Sequence, residues 1–233
     1  MRTAFRTPTP SLESSLDFYR RAGFERIDDR GSETFAAVTD GGVVVEIDAD
    51  RFTRSSVVVY AENAAELAAT AGEHARVHER GDGYLTADPS GAFVWLKAAM
   101  PDHMSAVAGS EPAARLGKFA GVSIEAVDPG ATLAFWERLG FALEAGGLDQ
   151  GWAQLGCEGA FGVSVMGAFA CPHLFFNPGL TYFNSGKNPE IIAGLREAGV
   201  PLTEEITQFS KTGDVDNVIV RDPGGTGFFV FND

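Results

Sequence analysis

The chain has 233 residues, with 18 Lys and Arg against 32 Asp and Glu, a formal net charge of -14 at pH 7. With 45% hydrophobic and 21% charged residues it is long enough for two domains of ordinary size, and disorder is excluded as its main state. Such an acidic surface repels phosphate backbones and anionic lipid, so neither nucleic acid nor a membrane is an expected partner.

The opening MRTAFRTPTP lacks the apolar stretch of a signal peptide. Two cysteines, Cys157 and Cys171, without a CxxC, support neither a disulfide framework nor a cysteine-rich zinc site, and a reducing cytoplasmic compartment is expected.

In chain order, 11–24 (SLESSLDFYRRAGF) reads as a short amphipathic helix stopped by Gly23. Short strand-like runs follow at 24–29, 34–39 and 43–48, then a strand at 56–60, an Ala-rich helix at 63–73 and strands at 75–79, 84–87 and 92–97. The first hundred residues thus read as strand-helix-strand-strand-strand, twice. The polar, Ala/Gly/Ser-rich stretch 101–117 reads as a linker, and the scheme repeats beyond it. A strand at 122–127 and a helix ending at Leu139 precede strands near Ala142, Trp152 and Val163. The last unit has a strand at 180–183, a helix at 189–198 and strands near Glu204, Val218 and Phe228, with Asn188 expected to cap its helix. Two motif pairs carry the repetition: FYRRAGF with FWERLGF at the helix ends, and DPSG (from Asp88) with DPGG (from Asp222) as turns into apolar strands. The reading is an α+β fold of four βαβββ units in two domains, 1–100 and 118–233.

These four motifs, in this order, resemble the vicinal oxygen chelate family, which includes glyoxalases, bleomycin-resistance proteins and extradiol dioxygenases. The resemblance covers nearly the whole chain as two glyoxalase-like domains. It implies that each pair of units curves a mixed sheet into a cup around a ligand. It also implies a divalent metal held by His, Gln or Glu on the first and fourth strands of the units. The corresponding positions here are Ala4, Glu46, Ser56 and Trp95 in the first domain, and Gly121, Ser164 or Met166, about Thr181, and Phe229 in the second. Only Glu46 has a suitable side chain, so no metal and no other cofactor is expected.

Phe93, Trp95 and Lys97 share one strand face, as do Phe229 and Phe231. The aromatics among them either stack on a flat ligand or fill the cup as core. Glu46 is either an exposed strand residue or a buried carboxylate that binds a basic group or acts as a base with a raised pKa. Among the histidines, His74 and His78 have i,i+4 spacing, but Gly72 should end the helix before them, and His103 is expected to be solvated in the linker. His173 is a candidate for the second cup, and a metal site of Cys157, Cys171 and His173 has no support from spacing. Tyr182 is a candidate hydrogen-bond donor to a ligand. The expected site is therefore Glu46, Ser56, Phe93, Trp95, Thr181, Phe229 and Phe231 for binding, with Glu46, His173 and Tyr182 as catalytic candidates. The expected function is metal-independent binding of a small apolar or cationic molecule in an aromatic-lined cup, by a monomer or homodimer. The alternative is an enzyme with atypical or no metal ligands, a lactoylglutathione-lyase-like lyase or an extradiol-dioxygenase-like oxidoreductase.

Overall fold

The computed structural model describes residues 1–28, 31–105 and 115–232. The middle of the expected linker, 106–114, lies outside them, as do positions 29, 30 and 233.

The first unit is β1 (Arg2–Pro8), α1 (Leu12–Arg21), β2 (Glu25–Arg26), β3 (Phe35–Thr39) and β4 (Val44–Asp48). The second is β5 (Ser56–Tyr60), α2 (Ala64–Gly72), β6 (His78–Arg80), β7 (Gly83–Ala87) and β8 (Phe93–Lys97). A one-turn helix, α3 (Asp102–Ser105), follows. The third unit comprises β9 (Lys118–Ala126), α4 (Pro129–Arg138), β10 (Ala142–Gly147), β11 (Trp152–Gly156) and β12 (Val163–Gly167). The fourth comprises β13 (Gly179–Phe183), α5 (Asn188–Glu197), β14 (Leu202–Ile206), β15 (Asn217–Arg221) and β16 (Gly227–Phe231). The fold is α+β, with four βαβββ units in two curved mixed sheets.

Local chemistry sets the helix ends. Ser11 Oγ accepts from the Ser14 amide, and Asp128 Oδ1 accepts from the Ala131 amide with Pro129 in the first turn. Gly23 (φ 94°) and Gly140 (φ 93°) take the left-handed geometry that turns the chain out of α1 and α4. Asn188 does not cap α5 as expected. Its buried amide donates to the Asp216 and Val230 carbonyls and accepts from Asn184, tying the helix start to the sheet.

Among the described residues the strands form two eight-stranded sheets, ordered β2-β3-β4-β1-β5-β8-β7-β6 and β10-β11-β12-β9-β13-β16-β15-β14. In the first, β1 runs parallel to β4 and antiparallel to β5, which runs parallel to β8; the second repeats this with β9, β12, β13 and β16. Alternation sorts the side chains. Phe5, Val45, Val57 and Val94 of one sheet and Ile124, Val165, Leu180 and Phe228 of the other share one continuous core. The opposite faces line two separate cups, each with its own small apolar cluster.

The motifs that revealed the repeats meet across the domain interface. Tyr19 of FYRRAGF donates its hydroxyl to Asp222 of DPGG (2.9 Å), and Trp136 of FWERLGF donates its indole N–H to Asp88 of DPSG (3.0 Å). A third buried pair joins Tyr182 to Asp40 (2.6 Å). Each helix motif thus docks on the other domain's turn. Burial pushes the pKa values of Asp40, Asp88 and Asp222 up, against the hydrogen bonds that favour their charged forms.

Candidate functional site: two cups of opposite chemistry

The parallel register of β1 and β4 places Arg6 opposite Glu46. Both point into the first cup, where Glu46 is fully buried. Its Oε2 accepts from Arg6 Nε (3.0 Å) and Nη2 (2.5 Å). Its Oε1 accepts from the Tyr60 hydroxyl and lies 3.3 Å from His103 Nε2. Burial alone would raise the Glu46 pKa, but the His103 hydrogen bond, the Arg6 charge and the Tyr60 hydrogen bond outweigh it and hold it at about 2. The expected base with a raised pKa is therefore overturned. Glu46 is an ionised anchor, because a guanidinium and two further donors were brought to it.

Arg6, Tyr60 and His103 were missed in the sequence. Arg6 was legible, since it lies two residues from Ala4 on the same strand face. His103 is not solvated: its side chain is 10% exposed, because α3 docks into the cup and sets Met104 against Ala4, Val44, Val58 and Tyr60. Ser56 is buried, with no hydrogen-bond partner for its hydroxyl. Trp95 is half-buried between two cations, Arg6 (5.7 Å from the ring centroid) and Lys97 (5.6 Å), so its indole is already engaged. Phe93 is 36% exposed and lies at the rim. A cavity of about 880 Å³ remains, its wall carrying Asp28, Glu46, Asp48, Asp82 and Asp102 against Arg6 and Lys97.

The second cup is apolar. Phe229 is buried, stacking on Phe175 (centroids 4.9 Å apart) and Phe231 (5.9 Å). Gly227 and Gly179 leave the room: a side chain at Gly227 would collide with the Phe176 ring, and one at Gly179 with the Phe229 ring. Thr181 shares a hydrogen bond with Ser123 (2.6 Å). His173 Nδ1 lies 3.1 Å from Glu204 Oε1, and the Leu174 amide donates to Glu204 Oε2 (2.9 Å). A cavity of about 280 Å³ remains, lined by His173, Cys171 and aromatic rings.

Tyr182 does not belong to this site. Its neighbour Thr181 faces the cup, so Tyr182 points to the interdomain core, where it is fully buried on Asp40. His74 follows the end of α2 and His78 lies in β6, so they share no helix face. Cys157 packs against the main core while Cys171 lines the second cup. Burial pushes the Cys171 thiol up, which disfavours a thiolate.

Neither cup fits the divalent metal that the fold family implies. In the first, both oxygens of Glu46 are taken, and the Arg6 guanidinium stands where a cation would approach. In the second, the sheet register puts Ser123 rather than the expected Gly121 opposite Ser164, and with Met166, Thr181 and Phe229 these positions offer no carboxylate or imidazole. Among the described residues no group of three or more His, Cys, Asp or Glu converges on one point. No described helix is long and apolar enough to cross a membrane.

Solved structures share this architecture. A variant of homoprotocatechuate 2,3-dioxygenase from B. fuscum superposes with a TM-score of 0.61 at 13% identity, over 100% of this chain and 71% of that one. A catechol 2,3-dioxygenase gives 0.59 at 13% identity, covering 99% and 86% of the two chains. The Mn(II)-bound glyoxalase from Novosphingobium aromaticivorans gives 0.59 at 11%, covering 98% and 80%. No family model matches the sequence, and no curated protein matches it. The fold is the one these dioxygenases and this glyoxalase share, as the resemblance to the vicinal oxygen chelate superfamily implies. The chain carries it in its tandem, two-domain form.

Proposed function

We propose that the protein binds a small organic cation in the first cup without a metal, in the manner of the bleomycin-resistance branch of this superfamily. The observation that carries this reading is the charge balance of the cavity wall. Arg6 is committed to Glu46, Lys97 to Asp82 (2.8 Å) and Arg26 to Asp28 (2.7 Å). Asp48, whose ion-pair contact is Arg6 Nη1 at 3.8 Å, and Asp102 are the carboxylates left for a ligand to neutralise. The volume of about 880 Å³ falls within the range of small-molecule sites. The net charge of -14 would steer cations toward it. Cytoplasmic action as a monomer or homodimer, with no nucleic-acid or membrane partner, belongs to the same proposal.

The test compares three molecules of one shape: benzamidine (cation), benzamide (neutral) and benzoate (anion), titrated calorimetrically at low ionic strength. Benzamidine should bind, weaken as salt is added, and lose affinity in Asp102→Asn and Asp48→Asn. Benzoate binding as well as benzamidine would sink the reading. For metal independence, elemental analysis after exposure to zinc, iron, nickel and manganese should show far less than one ion per chain.

A further inference from the structure

The geometry points to a second, separate site in the apolar cup, built for a neutral planar ring that carries one N–H or O–H donor. Three observations converge there. His173 is 90% removed from solvent, its side chain being 10% exposed, and its Nε2 is buried with no hydrogen-bond partner. In the tautomer whose Nδ1–H donates to Glu204, the ring's lone pair lies on Nε2. A buried acceptor without a donor is a standing cost that a ligand N–H or O–H relieves.

The second observation is the wall. Phe175, Phe229 and Phe231 form a stack with interplanar angles of 24° and 15°, and only flat groups continue such a stack. Phe209 lies edge-on to the His173 ring (5.8 Å) but is 58% exposed, so it can swing aside to admit a ring and then cover it. The third is charge. Among the described residues no Lys or Arg lines this cavity, and Glu204 is engaged by His173 and the Leu174 amide. An anionic ligand has no counter-ion here, and a cationic one is better served by the first cup. The volume of about 280 Å³ limits the ligand to one or two fused rings.

Indole and 1-methylindole separate the donor from the ring. In calorimetric titrations of the full chain, indole should bind about tenfold more tightly, the advantage of one hydrogen bond to a buried acceptor. His173→Phe keeps an aromatic ring and removes the acceptor; it should bind both probes with the affinity of 1-methylindole for the wild type. A measurement on the unaltered protein covers the case in which this variant fails to fold. In nitrogen-15 spectra the His173 Nε2 resonance should be that of an unprotonated nitrogen, and should shift with indole but not with 1-methylindole. Equal affinities in the wild type, a preference that survives His173→Phe, or an Nε2 resonance that ignores indole would each overturn the proposal. So would failure of both probes to bind up to their solubility limit. The benzamidine series reads the other cup, so either site can fail without the other.

Discussion

The two cups share one strand register and hold opposite chemistry. Arg6 faces Glu46 across β1 and β4; at the same place in the second sheet Ser123 faces Ser164 across β9 and β12. Next to Arg6 on β5 is Ser56, which pairs with Phe93; next to Ser123 on β13 is Gly179, with Gly227 close by on β16. Two missing side chains let aromatic rings settle onto the second sheet and fill most of that cup. Side chains at the same points of the first sheet, with an ion pair between the central strands, leave its cup open and polar. A scaffold that encloses a concave surface does not dictate what the surface holds; a few substitutions at facing positions do.

The largest expected effect tests the ion pair. Glu46→Ala should destabilise the protein by about 3–5 kcal/mol in urea unfolding, since it strands the buried Arg6 charge. Thr181→Val in the second cup removes one partner of a hydroxyl pair and should cost only about 1 kcal/mol. If charge desolvation is the reason for the asymmetry, the double variant Arg6→Met/Glu46→Leu should recover most of the loss. A double variant no more stable than Glu46→Ala would show that the pair contributes more than neutralisation.

Acid titration sharpens the same contrast. Glu46 is held at about 2, below its ordinary 4.5, so its ionisation favours the folded state at every pH above about 4.5. That contribution, on the order of 3 kcal/mol, is lost as the pH falls from 4.5 through 2. Asp40, Asp88 and Asp222 have the opposite sign. Their raised values mean that the folded state takes up protons more readily, so stability rises as the pH falls through those raised values toward the ordinary 3.8. Stability should therefore peak on the acid side of neutrality and then fall. Glu46→Gln should flatten the fall between 4.5 and 2 while leaving the rise in place.

Much of the fold was legible because its signals are local. FYRRAGF, FWERLGF and the two Asp-Pro turns announce themselves through a glycine stop and a fixed turn geometry. What they grip was not legible, because the Tyr19–Asp222 and Trp136–Asp88 pairs form only once the two domains pack. The site was half legible. Glu46, Ser56, Trp95, Thr181 and Phe229 were placed on the right faces by alternation. Tyr182 was not, since adjacent strand residues cannot share a face. His103 lies in a polar stretch with no periodicity, and its burial comes wholly from the docking of α3.

Ser56 gives the smallest effect and the finest distinction between the cups. Its hydroxyl is fully buried, faces no partner among the described residues, and occupies the position that Gly179 holds in the second sheet. A hydroxyl in an apolar place costs free energy that a methyl does not. Ser56→Ala should therefore stabilise the free protein by about 1 kcal/mol, read as a rise in Tm. Arg6 and Phe93 flank this position on the neighbouring strands, so a ligand seated deeply would reach the hydroxyl, and one held only by Asp48 and Asp102 would not. Benzamidine affinity in Ser56→Ala decides between these poses. Unchanged affinity with a raised Tm puts the cation at the rim. Weakened affinity with the same rise in Tm puts it on the floor, and makes Ser56 a group kept unpaired for the ligand.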